Sequence, residues 1–317
     1  MAHVVPSLAQ RTEADIASGT LLSLVGRTPM IRLSRITADL APAVQVHVKA
    51  EWHNPTGSVK DRPAAAILRW ALESGALAEG RRLLDSTSGN MGIAYAALGA
   101  ALGVRVHLMI PANASAERFV ILRALGAELT LTDPLEGTEG ARRAAAELAE
   151  RSPQTYYYAD QYSNPANWQA HCATTGPEIL EQTHGRVTHF VAGLGTTGTM
   201  VGVGRYLREN LPDVELVAVQ PDQPLHGLEG LKHPASTPHP TIFDPGLPDR
   251  TLEVRTEDAY AMVKRLAREE GLLVGTSAGA AVCATLRVAR ELEAGLVVAL
   301  LPDSAAKYLS EPWWRSA

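Results

Sequence analysis

Apolar residues recur along this chain in two rhythms, alternating over short runs and then returning every three or four positions over longer ones. Val44, Val46 and Val48 alternate with Gln45 and His47, which predicts a strand at 44–48. Short apolar runs predict further strands at 82–85, 105–109, 128–131, 188–192, 215–219 and 296–301, and a short one at 28–33 entered through a turn. Between them, stretches rich in helix formers predict helices at 64–73, 92–102, 116–125, 137–151, 168–183, 199–210, 257–270 and 279–292. This alternation predicts α/β layering, with parallel sheets covered by helices and two sheets rather than one. The segment 221–249 is rich in Pro, His and Gly and has no periodicity, so it is an irregular excursion. Loops of that length in compact domains are often functional.

Composition narrows the class. At 317 residues the chain allows one large or two medium domains with a well-buried core. A formal charge of −5, with no long run of one sign, points away from nucleic acid and from anionic membrane surfaces. A small soluble substrate fits better. Cys172 and Cys283 lack CxxC spacing, so they indicate neither a disulfide framework nor a zinc site and read as packed small residues in a reducing cytosol. His226, His233 and His239 lack tight ligand spacing, and no metal site is expected. Residues 1–19 carry no charged region followed by an apolar one, and the alanine-rich stretch 93–106 is broken by Gly99 and Gly103. A cytoplasmic protein without a membrane segment is expected.

Candidate chemistry sits at four breaks between strand and helix. The first, Asn54-Pro55-Thr56-Gly57-Ser58-Val59-Lys60-Asp61-Arg62, sets Lys60 in the first turn of a helix, with Ser58 a plausible N-cap. A cation is disfavoured there, which helps an amine act as nucleophile or Schiff base. The bland reading is a solvated first turn. The second break, Ser86-Thr87-Ser88-Gly89-Asn90-Met91-Gly92, gathers hydroxyls, an amide and backbone N–H groups at a helix start, which suits a carboxylate or phosphate but also an ordinary capped helix. The third, Gly193-Leu194-Gly195-Thr196-Thr197-Gly198-Thr199, matches G-x-G-x-x-G between strand and helix. A dinucleotide site wants an acidic residue at the end of the next strand, where Gln220 and Pro221 stand instead. The threonines make this loop a phosphate cradle for a monophosphate cofactor. The fourth, Gly275-Thr276-Ser277-Ala278-Gly279, offers a serine hydroxyl that can meet a ring nitrogen, and by itself is only a helix start.

In that order, these features resemble the pyridoxal-phosphate enzymes of the cysteine synthase family, with B-type character. The resemblance runs from Gly26-Arg27-Thr28-Pro29 to Lys307-Tyr308-Leu309-Ser310 and includes Ser163-Asn164-Pro165-Ala166-Asn167 and Thr174-Thr175-Gly176-Pro177-Glu178. It implies a fold-type II architecture, tryptophan synthase β-like, of two three-layer αβα domains with mostly parallel sheets. A smaller, mobile N-terminal domain would take 1–31 and 54–164, and a larger cofactor-anchoring one 32–53 and 165–317. The resemblance gives Lys60 the internal aldimine with pyridoxal 5′-phosphate, Asn90 the pyridine 3′-oxygen, Gly195, Thr196, Thr197, Gly198 and Thr199 the phosphate, and Ser277 the ring nitrogen. Thr87, Ser88, Gly89, Met91 and Gln161 would hold the substrate carboxylate. A neutral serine at the ring nitrogen favours β-elimination and β-replacement over transamination. The implied reaction replaces the β-substituent of an O-activated L-serine, O-acetylserine being the family's commonest, with a sulfur nucleophile through an α-aminoacrylate, giving L-cysteine. A homodimer is implied.

Two departures bear on substrate. Met91 stands where most of the family has Thr, which removes one hydroxyl donor to the carboxylate. The 221–249 excursion is short, as in B-type enzymes, some of which accept thiosulfate, phosphoserine or a sulfur-carrier protein, and Lys232 falls about where such enzymes can carry an arginine. Lys232 is therefore a candidate for an anionic leaving group or sulfur donor, against a surface lysine. Rival readings on the same fold are a cystathionine β-synthase, a serine or threonine dehydratase and a diaminopropionate-type synthase. A non-catalytic partner protein of the same fold is the rival from another class.

Overall fold

The computed structural model describes residues 20–87, 89–237 and 239–315. In chain order its elements are β1 (Met30–Leu33), β2 (Ala43–Ala50), α1 (Asp61–Glu73), β3 (Arg82–Ser86), α2 (Asn90–Leu102), β4 (Val106–Pro111), α3 (Ala116–Ala124), β5 (Glu128–Thr132), α4 (Gly137–Arg151) and β6 (Tyr156–Tyr158). There follow α5 (Pro165–Ala170), a π-helical turn (His171–Thr175), α6 (Gly176–Gln182), β7 (His189–Gly193), α7 (Gly198–Asn210), β8 (Glu215–Pro221), β9 (Arg250–Val254), α8 (Thr256–Arg265), a second π turn (Leu266–Glu270), α9 (Thr276–Glu291) and β10 (Ala294–Leu301). Two of these strands, β6 and β9, go beyond the sequence expectation. Tyr156, Tyr157 and Tyr158 are all half-buried and show no alternation, and β9 follows directly on the excursion 221–249.

The chain forms two compact units, one of Lys60–Ala166 with the described residues up to Val25, the other of Gly26–Val59 with those from Asn167 on. The first holds a parallel sheet in the order β5-β4-β3-β6. Its two faces are read off the pleat, because successive side chains on a strand point to opposite sides. Leu83, Val106, Leu108 and Ile110 pack with α1 and α2 through Ile67, Leu68, Ile93 and Leu98, whereas Leu84 and Met109 pack with Ala141 and Ala145 of α4. All six residues of β4 are buried, as a central parallel strand covered on both faces requires.

The second unit holds a six-stranded sheet, β1-β2-β10-β7-β8-β9, in which only the β1–β2 pair is antiparallel. Val191, Val217, Val219, Val297 and Ala299 face α8 and α9, while Phe190, Ala192, Leu216, Ala218, Val298 and Leu300 face α6 and α7. Each unit is thus an αβα sandwich, and each fully buried Leu or Phe in it contributes roughly 1.5–3 kcal/mol. The strand order reverses between β10 and β7. Ligands in such sheets bind beyond the carboxyl ends of the strands at that point.

Candidate active site

The larger unit brings three segments together beyond the ends of β7 and β10. After β7 the chain turns through Gly193–Thr197 into α7, locked by Leu194 N–H donating to Val219 O at 2.8 Å and by Lys232 N–H donating to Leu194 O at 2.8 Å. Gly195 is forced by proximity, since a Cβ there would lie 2.2 Å from the carbonyl oxygen of Gly230. A Cβ on Gly198 would lie 2.0 Å from Asn167 Oδ1. Gly230 belongs to the excursion, and the neighbouring Glu229 N–H donates to Thr276 Oγ1 at 3.1 Å. That bond ties the loop to the head of α9, where Ser277 is buried in the first turn. Gly275 N–H donates to Asp303 O at 3.1 Å, just past β10. The loop 193–199, Lys232 and the serine turn are therefore gathered by backbone hydrogen bonds and one to the Thr276 hydroxyl.

The hydroxyls of this loop bear on its fit to a phosphate. Thr197 adopts a left-handed conformation (φ 69°) at the N-cap of α7, and its buried Oγ1 meets no hydrogen-bond partner among the described residues. A buried hydroxyl left so costs about 1–3 kcal/mol, and non-glycine residues are seldom left-handed without cause. The N–H groups and dipole of a 13-residue helix start beside it, an arrangement that favours an anion. The phosphate of a cofactor fits this donor set.

The same unit also prepares the chain that leads into Lys60. Buried Lys49 Nζ donates to Thr28 O at 2.6 Å and Gln182 Oε1 at 2.9 Å and pairs with Glu178 at 2.7 Å. Buried Asn54 accepts from Gly26 N–H at 2.9 Å and donates to Glu51 Oε2 at 2.9 Å. Ser58 is not the N-cap that its residue type predicts. It forms an isolated bridge to Asp303, and Val59 N–H donates to Pro302 O at 2.8 Å, which commits Ser58 to that bridge rather than to the helix head. Lys60 is itself the N-cap of α1, with Ala64 N–H donating to its carbonyl at 3.0 Å. Asp61 and Arg62 are buried, so this is not a solvated first turn.

In the smaller unit the turn after β3 is organised by Thr87, whose Oγ1 accepts from Gly89 N–H at 3.1 Å and Gly92 N–H at 3.3 Å. Asn90 opens α2, and Gln161 is brought to the same strand end, its Nε2 donating to Ser86 O at 2.9 Å. Ser88 lies outside the described residues. Met91 packs its side chain into the apolar core, so what it can offer a carboxylate is its backbone N–H. Among the described residues no three or more His, Cys, Asp or Glu side chains converge as metal ligands. His233 bonds Ser236, His239 stacks on Phe243, and His226 accepts from Leu228 N–H. Buried Cys283 has its thiol pushed up to about 11 by desolvation. No helix among the described residues is long and apolar enough to cross a membrane.

Among the residues that the sequence reading missed is Asp85. Asp85, at the end of β3, is fully buried, and desolvation raises its carboxyl to about 7 even though Ser86 N–H donates to it at 2.8 Å. Asp160 raises it further, and Gln161 N–H donates to its second oxygen at 3.3 Å. An Asp directly after the apolar pair Leu83-Leu84 in a strand was the signal the sequence offered. Unfolded Asp85 loses its proton near 3.8 while the folded group keeps it to about 7, so this group's contribution to stability falls as pH rises between those values, by roughly 4 kcal/mol in all. Asp85→Asn removes that dependence. Urea unfolding at pH 5 and pH 8 should show a shallower loss in the variant than in the wild type, and equal losses would contradict the assignment.

Comparison with known proteins agrees with these features. A family model described as pyridoxal-phosphate dependent enzyme matches residues 21–303. The cysteine synthase of Aquifex aeolicus is 50% identical over 299 residues, covering 93% of this chain and 91% of that protein. Cysteine synthase B of Pseudomonas aeruginosa is 42% identical over 291 residues, covering 92% and 96%. The crystal structure of cysteine synthase from Entamoeba histolytica superposes with a TM-score of 0.90 at 32% identity, covering 100% of this chain and 94% of that one. Lysine at a helix head, phosphate-fitting loop and serine turn thus occur in a chain that belongs to the pyridoxal-phosphate dependent enzymes and, within them, to the cysteine synthase family.

Proposed function

We propose that the enzyme makes L-cysteine by β-replacement, O-acetyl-L-serine and hydrogen sulfide giving L-cysteine and acetate. The observation that carries this reading is the loop 193–199, a glycine and threonine turn whose buried Thr197 hydroxyl awaits an acceptor at a helix start. Gly195 to Thr199 would hold the phosphate of pyridoxal phosphate, Ser277 its ring nitrogen, Asn90 its 3′-oxygen and Lys60 its aldehyde carbon. When bound, the cofactor supplies an electron sink that acidifies the substrate Cα–H. Thr87, Gly89, Gln161 and the Met91 N–H orient the substrate carboxylate, with Ser88 completing the set. Lys60 Nζ takes the Cα proton and returns it once the β-carbon has exchanged oxygen for sulfur. Support for a cofactor-anchoring larger domain comes from the loop, the Lys232 segment and Ser277 all lying in the unit that includes 167–315. The family resemblance carries with it a homodimer, a cytoplasmic location and, for sulfur supply, sulfide, thiosulfate or a sulfur-carrier protein.

The reading is tested by measuring cysteine formation and kcat/KM with O-acetyl-L-serine and with O-phospho-L-serine, each with sulfide. O-acetylserine is expected to be the better donor, and failure of O-acetylserine to yield cysteine would overturn the reading. Lys232 is held beside the loop by its backbone N–H bond to Leu194 O, which supports reading it as the partner of an anionic substrate. Lys232→Ala is expected to lower kcat/KM with O-phosphoserine or thiosulfate about tenfold or more and to spare O-acetylserine, since hydrogen bonds to charged groups contribute about 1.5–3 kcal/mol. Unchanged kinetics with both anionic substrates would remove Lys232 from the site.

A further inference from the structure

The helical run behind the phosphate loop carries two buried polar side chains four residues apart, and each meets a loop threonine. Asn167, in α5, donates from Nδ2 to Thr196 Oγ1 at 3.1 Å. His171, first residue of the π turn, places Nε2 3.4 Å from Thr199 Oγ1 and Nδ1 2.9 Å from Thr175 Oγ1. Asn167 and His171 are each 1% exposed and Thr175 is wholly buried. The approach is close because of Gly202 in α7, where a Cβ would lie 2.1 Å from Trp168 O and 2.6 Å from the His171 Cβ.

A threonine hydroxyl has one hydrogen to give and lone pairs to receive, while a phosphate dianion only accepts. Asn167 fills a lone pair of Thr196, which leaves the hydroxyl hydrogen for another acceptor. A neutral imidazole has one donor and one acceptor nitrogen, so the two threonines it touches are coupled. If Thr175 donates to Nδ1, Nε2 carries the hydrogen and donates to Thr199, whose own hydrogen is then released. The opposite tautomer consumes the Thr199 hydrogen and turns lone pairs towards the anion. A bound phosphate selects the first arrangement.

We propose that Asn167 and His171 are positioning residues that fix the hydroxyl hydrogens of Thr196 and Thr199 as donors to the cofactor phosphate. This rests on the loop being the phosphate site. The test compares full-length protein reconstituted with pyridoxal phosphate and with pyridoxal, which lacks the phosphate, reading dissociation constants by absorbance and the bound phosphate by phosphorus NMR. Asn167→Asp is isosteric but can only accept, and His171→Phe keeps the ring without its nitrogens. Each is expected to weaken pyridoxal phosphate about tenfold or more, to leave pyridoxal within about threefold, and to move the phosphorus resonance. His171→Gln, which restores a donor, is expected to recover most of the affinity and decides the matter should His171→Phe not fold. Equal weakening of both ligands by Asn167→Asp and His171→Phe would mean packing alone and overturn the proposal. If Thr196→Val and Thr199→Val weaken pyridoxal phosphate selectively while Asn167→Asp and His171→Phe do not, the phosphate loop stands and the proposal fails. If the two threonine variants leave the ratio unchanged, the phosphate reading itself fails.

Discussion

Lys60→Ala is expected to lower turnover by about 10³-fold or more while leaving the fold intact. On the proposed reading one amine both holds the cofactor and moves the Cα proton, and residues 54–62 carry no second lysine, so the loss should be large. The fold should survive because Lys60 is half-buried and contributes its carbonyl, rather than its side chain, to the first turn of α1. Lys60→Arg should be nearly as inactive, since a guanidinium does not give up its proton near neutral pH. Steady-state rates with O-acetylserine and sulfide, beside far-ultraviolet dichroism, check both variants. Activity within tenfold of wild type in a folded Lys60→Ala protein would remove the lysine from the chemistry.

Gly195→Ala is expected to cost the next most. The added methyl would meet the Gly230 carbonyl, a backbone atom that no rotamer change can move. Both sides of the contact are pinned, Leu194 by Val219 and Lys232, and Glu229 by Thr276. Overpacking of this kind costs about 1–3 kcal/mol, or roughly five- to 150-fold in cofactor affinity if the loop gives way rather than its support. Equilibrium dialysis against limiting pyridoxal phosphate should show that loss, with excess cofactor restoring part of the activity. An unchanged dissociation constant would place the phosphate elsewhere.

Much of the layered fold was legible because parallel strands covered on both faces must be apolar runs, and β4, β7, β8 and β10 are such runs. The strand β6 was hidden because three successive tyrosines at intermediate depth carry no period, and β9 because its pairing with β8 is set by a partner about thirty residues away in sequence. The loop 193–199 was visible from glycine and threonine spacing, yet the reason for Gly195 was not, since Gly230 approaches it only in the folded chain. The same holds for Asp85, whose raised carboxyl comes from burial, and for Asn167 and His171, whose partners lie on another element. Ser58 shows the converse failure. Its residue type favours a helix cap, but the bridge to Asp303 overrides that local preference.

The most direct measurement is a visible spectrum of the purified protein, taken alone, after O-acetyl-L-serine, and after sulfide is then added, with cysteine quantified at the end. A cofactor band that moves to longer wavelength with O-acetylserine and returns on sulfide, with one cysteine formed for each O-acetylserine consumed, is the expected result. A protein that shows no band even after pyridoxal phosphate is supplied, or whose band returns without cysteine being formed, would contradict the account.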